Sequence, residues 1–344
     1  MKRFRLAAAV CLLACGAVHA QAPASAAPSA AAAQPVVAPA APTAPADPFP
    51  PANPKYFDTP SPSIETVNAF LKALWGYDTT RLWRVMAIQA TRAPNVAKVV
   101  VFVSDTSANA KVASTVFYTT PDGKFALAEG VGVVPFGPNP FGELRTMLQQ
   151  RADGASRGAP GKALELVEFA DLQCPHCKDA QAIMDQLVKD FPNAHVVFQL
   201  YPLVDIHPSA FKAAAYGVCV QRQSNDAFFK YAAAVFDTQE ALAPPAEDTV
   251  LKAAVTRAGL DPKAISACSE TQATKDTVNA DIKLAVEAGI DQTPLLSVNG
   301  RTLPVTQIPY EQIKQIVLYQ AAMDHVPTGA APDVVAPQGP APAK

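Results

Sequence analysis

Apolar positions along the chain change their period several times, and each change marks an element. Ser63 stands where a helix N-cap belongs, and Glu65 follows in the first turn. Ile64, Val67, Leu71 and Leu74, with Phe70 alongside, then recur at helical spacing, which predicts an amphipathic helix to about Trp75. Strand-like runs follow at 82–90 (LWRVMAIQA), 97–104 (AKVVVFVS), 112–120 (VASTVFYTT) and 124–130 (KFALAEG), with Pro121-Asp122-Gly123 as the turn between the last two. NPFGELRTMLQQR (139–151) reads as a connecting helix. Residues 63–150 are therefore expected to form a small α+β module on an antiparallel meander, followed by a short hinge, ADGASRGAPGK (152–162).

From residue 162 onward the order changes. ALELVEFA (163–170) is a strand, and the cysteine-bearing run CPHCKDAQAIMDQLVKDF that follows it directly is helical in pattern. Phe191-Pro192-Asn193 stops that helix, and HVVFQLYPL (195–203) is the next strand. A long helical stretch covers 208–289. TPLLSVNG and RTLPV then give two short strands, and PYEQIKQIVLYQAAMD a closing helix. The second unit, 160–326, is thus an α/β domain with several helices between its early and late strands.

Composition alters the picture at both ends. Residues 21–62 are almost all Ala and Pro, which reads as an extended, disordered linker, and 327–344 read the same way. Lys2, Arg3 and Arg5 precede an apolar run from Leu6 to Val18, and Val18-His19-Ala20 offers a cleavage site, so 1–20 is expected to be a secretory signal peptide. The run is shorter than the roughly 20 residues that span a bilayer. Leu12-Leu13-Ala14-Cys15 leaves a second route open, lipidation at Cys15. Either route exports the chain, to the periplasm. A net charge of −2 makes no electrostatic case for nucleic acid or an anionic membrane surface.

Export changes the cysteine arithmetic. Of six cysteines, Cys11 and Cys15 lie in the signal, and Cys174, Cys177, Cys219 and Cys268 remain, an even number for an oxidising compartment. Parity points to a structural disulfide between Cys219 and Cys268, worth ~4 kcal/mol for a loop of about 50 residues. Two buried free thiols are the alternative. For the pair in DLQCPHCKDA, haem attachment would need His directly after the second Cys, where Lys178 stands, and structural zinc would need a second short-spaced pair. The reading is a redox dithiol with no metal or cofactor. Cys174 opens a helix whose unsatisfied N–H groups favour a thiolate, and Pro175 is tolerated there. His176, when protonated, adds positive charge beside the sulfur. Cys174 is expected to be the exposed nucleophile and Cys177 the more buried resolving thiol. GAPGK (158–162) is not a phosphate loop, because Ser156 and Ala163 replace its required residues.

FADLQCPHCKDA resembles the active site of the DsbA family of thioredoxin-fold disulfide oxidoreductases, over about 160–325. The resemblance implies a thioredoxin-like fold with a helical insertion. It implies that Thr293-Pro294, in GIDQTPLLSVNG, is a cis-proline segment that faces the cysteines and pairs with substrate peptide. It assigns Glu168, six residues before Cys174, as a buried acid relaying a proton to or from the second cysteine, and His207-Pro208 as a helix start. It also implies reduced or unfolded secreted proteins as substrates and a quinone-linked membrane oxidase as recycling partner. YTTPDGKFALAEG, with the helix after it, is similar to the N-terminal dimerisation domain of the DsbC/DsbG isomerases, which implies a homodimer. Three functions stay open: a DsbA-type oxidase, a dimeric isomerase or reductase, and a non-catalytic peptide-binding or chaperone module.

Overall fold

The computed structural model describes residues 47–128 and 132–330. The signal peptide, Cys15, the linker up to residue 46 and the tail from 331 lie outside the described residues.

The first helix, α1 (Ile64–Trp75), begins where its cap predicts: Ser63 Oγ accepts from Thr66 N at 3.2 Å. Its Val67, Phe70 and Leu71 are buried against an antiparallel meander of β1 (Arg81–Ala90), β2 (Ala97–Asp105), β3 (Ala113–Thr119) and β4 (Phe125–Ala128). Ile64, expected on the same face, is 41% exposed. A fifth strand, β5 (Gly132–Pro135), extends the sheet to the order β1-β2-β3-β4-β5. Its four residues carry no pattern that marks them alone; pairing with β4 makes them a strand.

Residues 47–62, expected as part of the disordered linker, instead pack on this module. Phe49 is buried, and Arg84 donates to the carbonyls of Phe49 (3.3 Å) and Pro50 (3.1 Å) and pairs with Asp47. Phe57 pairs with Ile88 on the open side of β1, and Ala90 N donates to Asp58 Oδ1 at 2.7 Å. The linker composition hid two aromatic residues, Phe49 and Phe57, and two acids, Asp47 and Asp58. At the other end, residues 327–330 also depart from a disordered tail: Thr328 O accepts from Asn193 N at 3.2 Å.

After α2 (Gly142–Arg151), the expected hinge forms an edge strand, β6 (Ala155–Gly158), because its backbone pairs antiparallel with β8. The second sheet has the order β10-β9-β7-β8-β6. At its centre, β7 (Leu164–Ala170) runs parallel to β8 (Ala194–Leu200), joined by α3 (Pro175–Asp190). The helices α4 (Ala210–Gln221), α5 (Asn225–Asp237), α6 (Glu247–Arg257), α7 (Pro262–Ser269) and α8 (Gln272–Glu287) are inserted before β9 (Leu295–Val298), β10 (Arg301–Leu303) and the closing α9 (Tyr310–Met323). They share a core with both cysteines of the CPHC motif. Cys219 on α4 and Cys268 on α7 are joined as a disulfide, their Cα atoms 6.1 Å apart.

Arg301 ties α1 to the second sheet. From β10 its guanidinium donates to Leu74 O at 3.0 Å, to Ala73 O, and to Gln320 Oε1 at 3.1 Å, and it lies over the Phe141 ring at 4.2 Å. Burial lowers its pKa to about 10. Tyr319 Oη donates to Lys72 O at 2.6 Å. These bonds satisfy carbonyls that a helix C-terminus leaves open. Gly76 is required here, since a Cβ would overlap the Tyr319 hydroxyl. Gly300 (φ +88°) lets the β9–β10 turn pass the backbone of Phe141 and Arg145 in a left-handed conformation.

Arg301→Met keeps the volume and removes the donors, so it is expected to cost about 2–4 kcal/mol. Both tryptophans, Trp75 and Trp83, belong to the first module. In urea the variant's tryptophan fluorescence should change before its far-UV circular dichroism, whereas the two should coincide in the unmodified protein. Coincident transitions at unchanged stability in the variant would defeat this account.

Candidate functional site

All seven residues of β7 are buried, so the chain leaves the sheet centre at Ala170 and must turn within the protein. Asp171 to Gln173 make that turn. Cys174 becomes the N-cap of α3 in an extended conformation, with Pro175 at the first helical position, where its missing N–H costs nothing. Cys174 N donates to Asp171 O at 3.1 Å, and Cys177 N to Cys174 O at 3.1 Å. The cysteines are unbonded in this structure.

Cys174 differs from expectation in exposure. It is only 4% exposed, against 0% for Cys177. The cause is tertiary. The Thr293-Pro294 peptide, which is cis, brings the Thr293 carbonyl to 3.7 Å from Cys174 Sγ. Gln239 Nε2, from the insertion, donates to Leu172 O at 2.9 Å and to Cys174 O at 3.0 Å.

The two sulfurs are driven apart in acidity. Cys174 falls to about 5: the Cys177 thiol stabilises its thiolate most, burial opposes this, and the Thr293 side chain and the backbone N–H groups of Cys177 and His176 add to it. Cys177 is pushed well above the ordinary thiol value, first by burial and then by its neighbour Cys174; the Asp171 N–H, 3.3 Å from its sulfur, works the other way. The dithiol therefore holds one thiolate and one thiol at neutral pH. The His176 ring is 73% exposed and 3.9 Å from Asp179 Oδ2, and the residue's backbone helps to lower Cys174.

Glu168 sits on β7, 2% exposed. Burial pushes its carboxyl up to about 8, partly offset by Arg157 and by a hydrogen bond from Gln181. Gln181 Nε2 donates to Glu168 Oε1 at 2.8 Å and to Cys177 O at 3.0 Å, so one amide links the acid to the backbone of the second cysteine. Sequence reasoning missed Gln181, Gln239 and Asp171. Gln181 was within reach, since it follows Cys177 by one helical turn. Gln239 carried no signal, because its partners lie more than sixty positions away.

Residues 151–317, just under half of the chain, match the sequence profile of the family described as thioredoxin. With the sheet order above, the second domain has a thioredoxin-like fold carrying a helical insertion. Similar solved structures include a periplasmic thioredoxin-like protein from Salmonella enterica serovar Typhimurium, 21% identical, covering 52% of this chain and 97% of that one at a TM-score of 0.44. The catalytic domain of Proteus mirabilis ScsC is 23% identical, covers 52% of this chain and 98% of its own, and gives 0.43. Oxidised BdbD from Bacillus subtilis is 22% identical over 48% of this chain and 90% of its own, with 0.41. Among curated proteins, the Na(+)/H(+) antiporter NhaA 1 of Salinispora arenicola is 38% identical over 58 residues, 17% of this chain. The chain spans 9% of that relative's length. Among the described residues no helix is long and apolar enough to cross a membrane.

Two titrations follow from these shifts. Thiolate absorbance at 240 nm should appear with a midpoint near pH 5. Cys177→Ala removes the largest stabiliser of the thiolate, so its midpoint should rise; an unmoved midpoint would refute that cause. Glu168 takes its proton in the native state up to pH about 8, whereas the unfolded chain releases it near 4.5. Its contribution is thus fully present below 4.5 and is lost as pH rises through 8, by up to ~1.4 kcal/mol per pH unit. Urea unfolding across that window should show a shallower pH dependence for Glu168→Gln than for the unmodified protein.

Proposed function

We propose that the protein is an exported, periplasmic thiol–disulfide oxidoreductase of DsbA type, acting on cysteines of secreted proteins through Cys174 and Cys177. The observation that carries this reading is the pairing of a thiolate at Cys174 with a buried, high-pKa thiol at Cys177 beneath the Thr293 carbonyl. In the oxidising direction a substrate thiolate attacks Cys174 Sγ of the enzyme disulfide. The S–S bond breaks, its electron pair goes to Cys177 Sγ, and a mixed disulfide joins substrate to Cys174. Cys177 takes up a proton, for which Glu168, protonated below pH about 8, is the donor. A second substrate thiolate then attacks the substrate sulfur, and Cys174 leaves as its stabilised thiolate. Two electrons pass from the substrate dithiol to the enzyme pair. Stabilising the Cys174 thiolate favours the dithiol form and makes the disulfide oxidising. A quinone-linked membrane oxidase would return the pair to the disulfide.

The isomerase or reductase reading has one observation of its own. Tyr118, Leu127 and Val133 are exposed and neighbour one another across β3, β4 and β5, an apolar row suited to a second copy. Such a homodimer would use the same bond changes in reverse.

Equilibration with glutathione buffers, together with sedimentation mass, separates the readings. A monomer with a potential toward about −120 mV supports the oxidase, and a dimer near −270 mV supports the reductive direction. Oxidation of a reduced secreted protein should vanish in Cys174→Ala. A Cys174→Ala protein that still carries out the full biological role would instead make the domain a peptide-binding module.

A further inference from the structure

His207 stands in the loop between β8 and α4 and touches neither sulfur. Its Nδ1 lies 2.7 Å from Asp171 Oδ2, and the Asp171 carboxylate is fully buried while the ring is 18% exposed. The same carboxylate accepts from Leu203 N at 2.9 Å and from Gln173 N at 2.7 Å. Three donors from two loops thus converge on one side chain. The backbone of that residue meets both cysteines: its N–H points at Cys177 Sγ (3.3 Å) and its carbonyl accepts from Cys174 N (3.1 Å).

We propose that His207 is a positioning residue for thiol–disulfide exchange: through the Asp171 carboxylate it holds in place the backbone N–H that stabilises Cys177 Sγ when that sulfur carries the charge of the broken S–S bond. The inference rests on the oxidoreductase reading above. Cys177 is closed to solvent, so water cannot solvate the departing or attacking sulfur, and a fixed protein dipole must do so. A backbone N–H is fixed only if its peptide is fixed, and Asp171 lies in a turn with no strand partner. The imidazole donates from Nδ1 both as the neutral Nδ1–H tautomer and as imidazolium, so the hydrogen bond to Asp171 does not depend on which of the two forms is present. The competing explanation is a histidine that merely starts α4, beside Ser209, whose N–H is held by Gln173 Oε1 at 2.7 Å.

The test follows a mixed disulfide between Cys174 and glutathione, with its resolution by Cys177 measured by acid quench and mass spectrometry. His207→Phe keeps the ring and removes the donor; resolution should slow roughly tenfold, the order of one lost charge-assisted hydrogen bond, while the 240 nm midpoint of Cys174 stays in place. His207→Asn returns an amide donor at the Nδ1 position and should resolve near the unmodified rate. His207→Gln places its amide at the Nε2 position and should be slow. The Asn and Gln variants carry the comparison if the Phe variant does not fold. Equal rates in Asn and Gln, or an unchanged rate in folded Phe, would overturn the proposal alone. An unmodified protein that forms no mixed disulfide would overturn the oxidoreductase reading with it.

Discussion

The full burial of β7 is the constraint on which the site depends. A strand in the middle of a sheet covered on both faces must carry apolar residues, and Leu164, Leu166, Val167 and Phe169 do so. Glu165 and Glu168 break the run; Glu165 has Lys162 beside it, whereas Glu168 has no water to ionise into, which is why it holds its proton so far up the pH scale. The same burial means that the turn after Ala170 cannot be satisfied by solvent. Its backbone groups are taken up by Cys174, Gln239 and Cys177. The acidity of one cysteine and the reluctance of the other are thus consequences of where a strand ends.

The helical insertion supplies much of the surroundings. Gln173 Nε2 donates to Leu242 O at 2.7 Å, and Gln239 reaches back to Leu172 and Cys174, so the residues between α5 and α6 hold the turn from one side. The Cys219–Cys268 bond lies inside the same helical body. On the opposite flank, Arg301 and Tyr319 hold the last turn of α1. The first module is therefore anchored to β10 and α9, elements that carry no reacting group, and the redox turn is left to the insertion.

Much of this was legible in the sequence. The periods of α1 and of β2 are strong because each has one buried face, and a strand that ends on CPHC is a local pattern. The places that were not legible depend on distant partners. Ala155 to Gly158 look like a hinge, and become a strand because β8 offers an open edge. Phe49 and Asp47 sit in Ala/Pro-rich sequence, and only Arg84, 35 positions from Phe49, reveals their purpose. Cys174 reads as exposed at a helix start; the segment that covers it arrives 119 residues later. Glu168 could be placed on the strand, but alternation within β7 could not distinguish a buried face from an open one.

The segment running past β1 from Asp47 to Asp58 has a meaning for assembly as well as for packing. An exposed sheet edge is a template on which another chain can grow. This one is occupied at Phe57 and Asp58, and the occupying segment presents Pro48, Pro50, Pro51 and Pro54, which have no N–H to offer a newcomer. The sheet therefore has a blunted margin at β1 and its other margin at β5. Any strand recruited to it, from a second copy or from an aggregating neighbour, would enter from the β5 side.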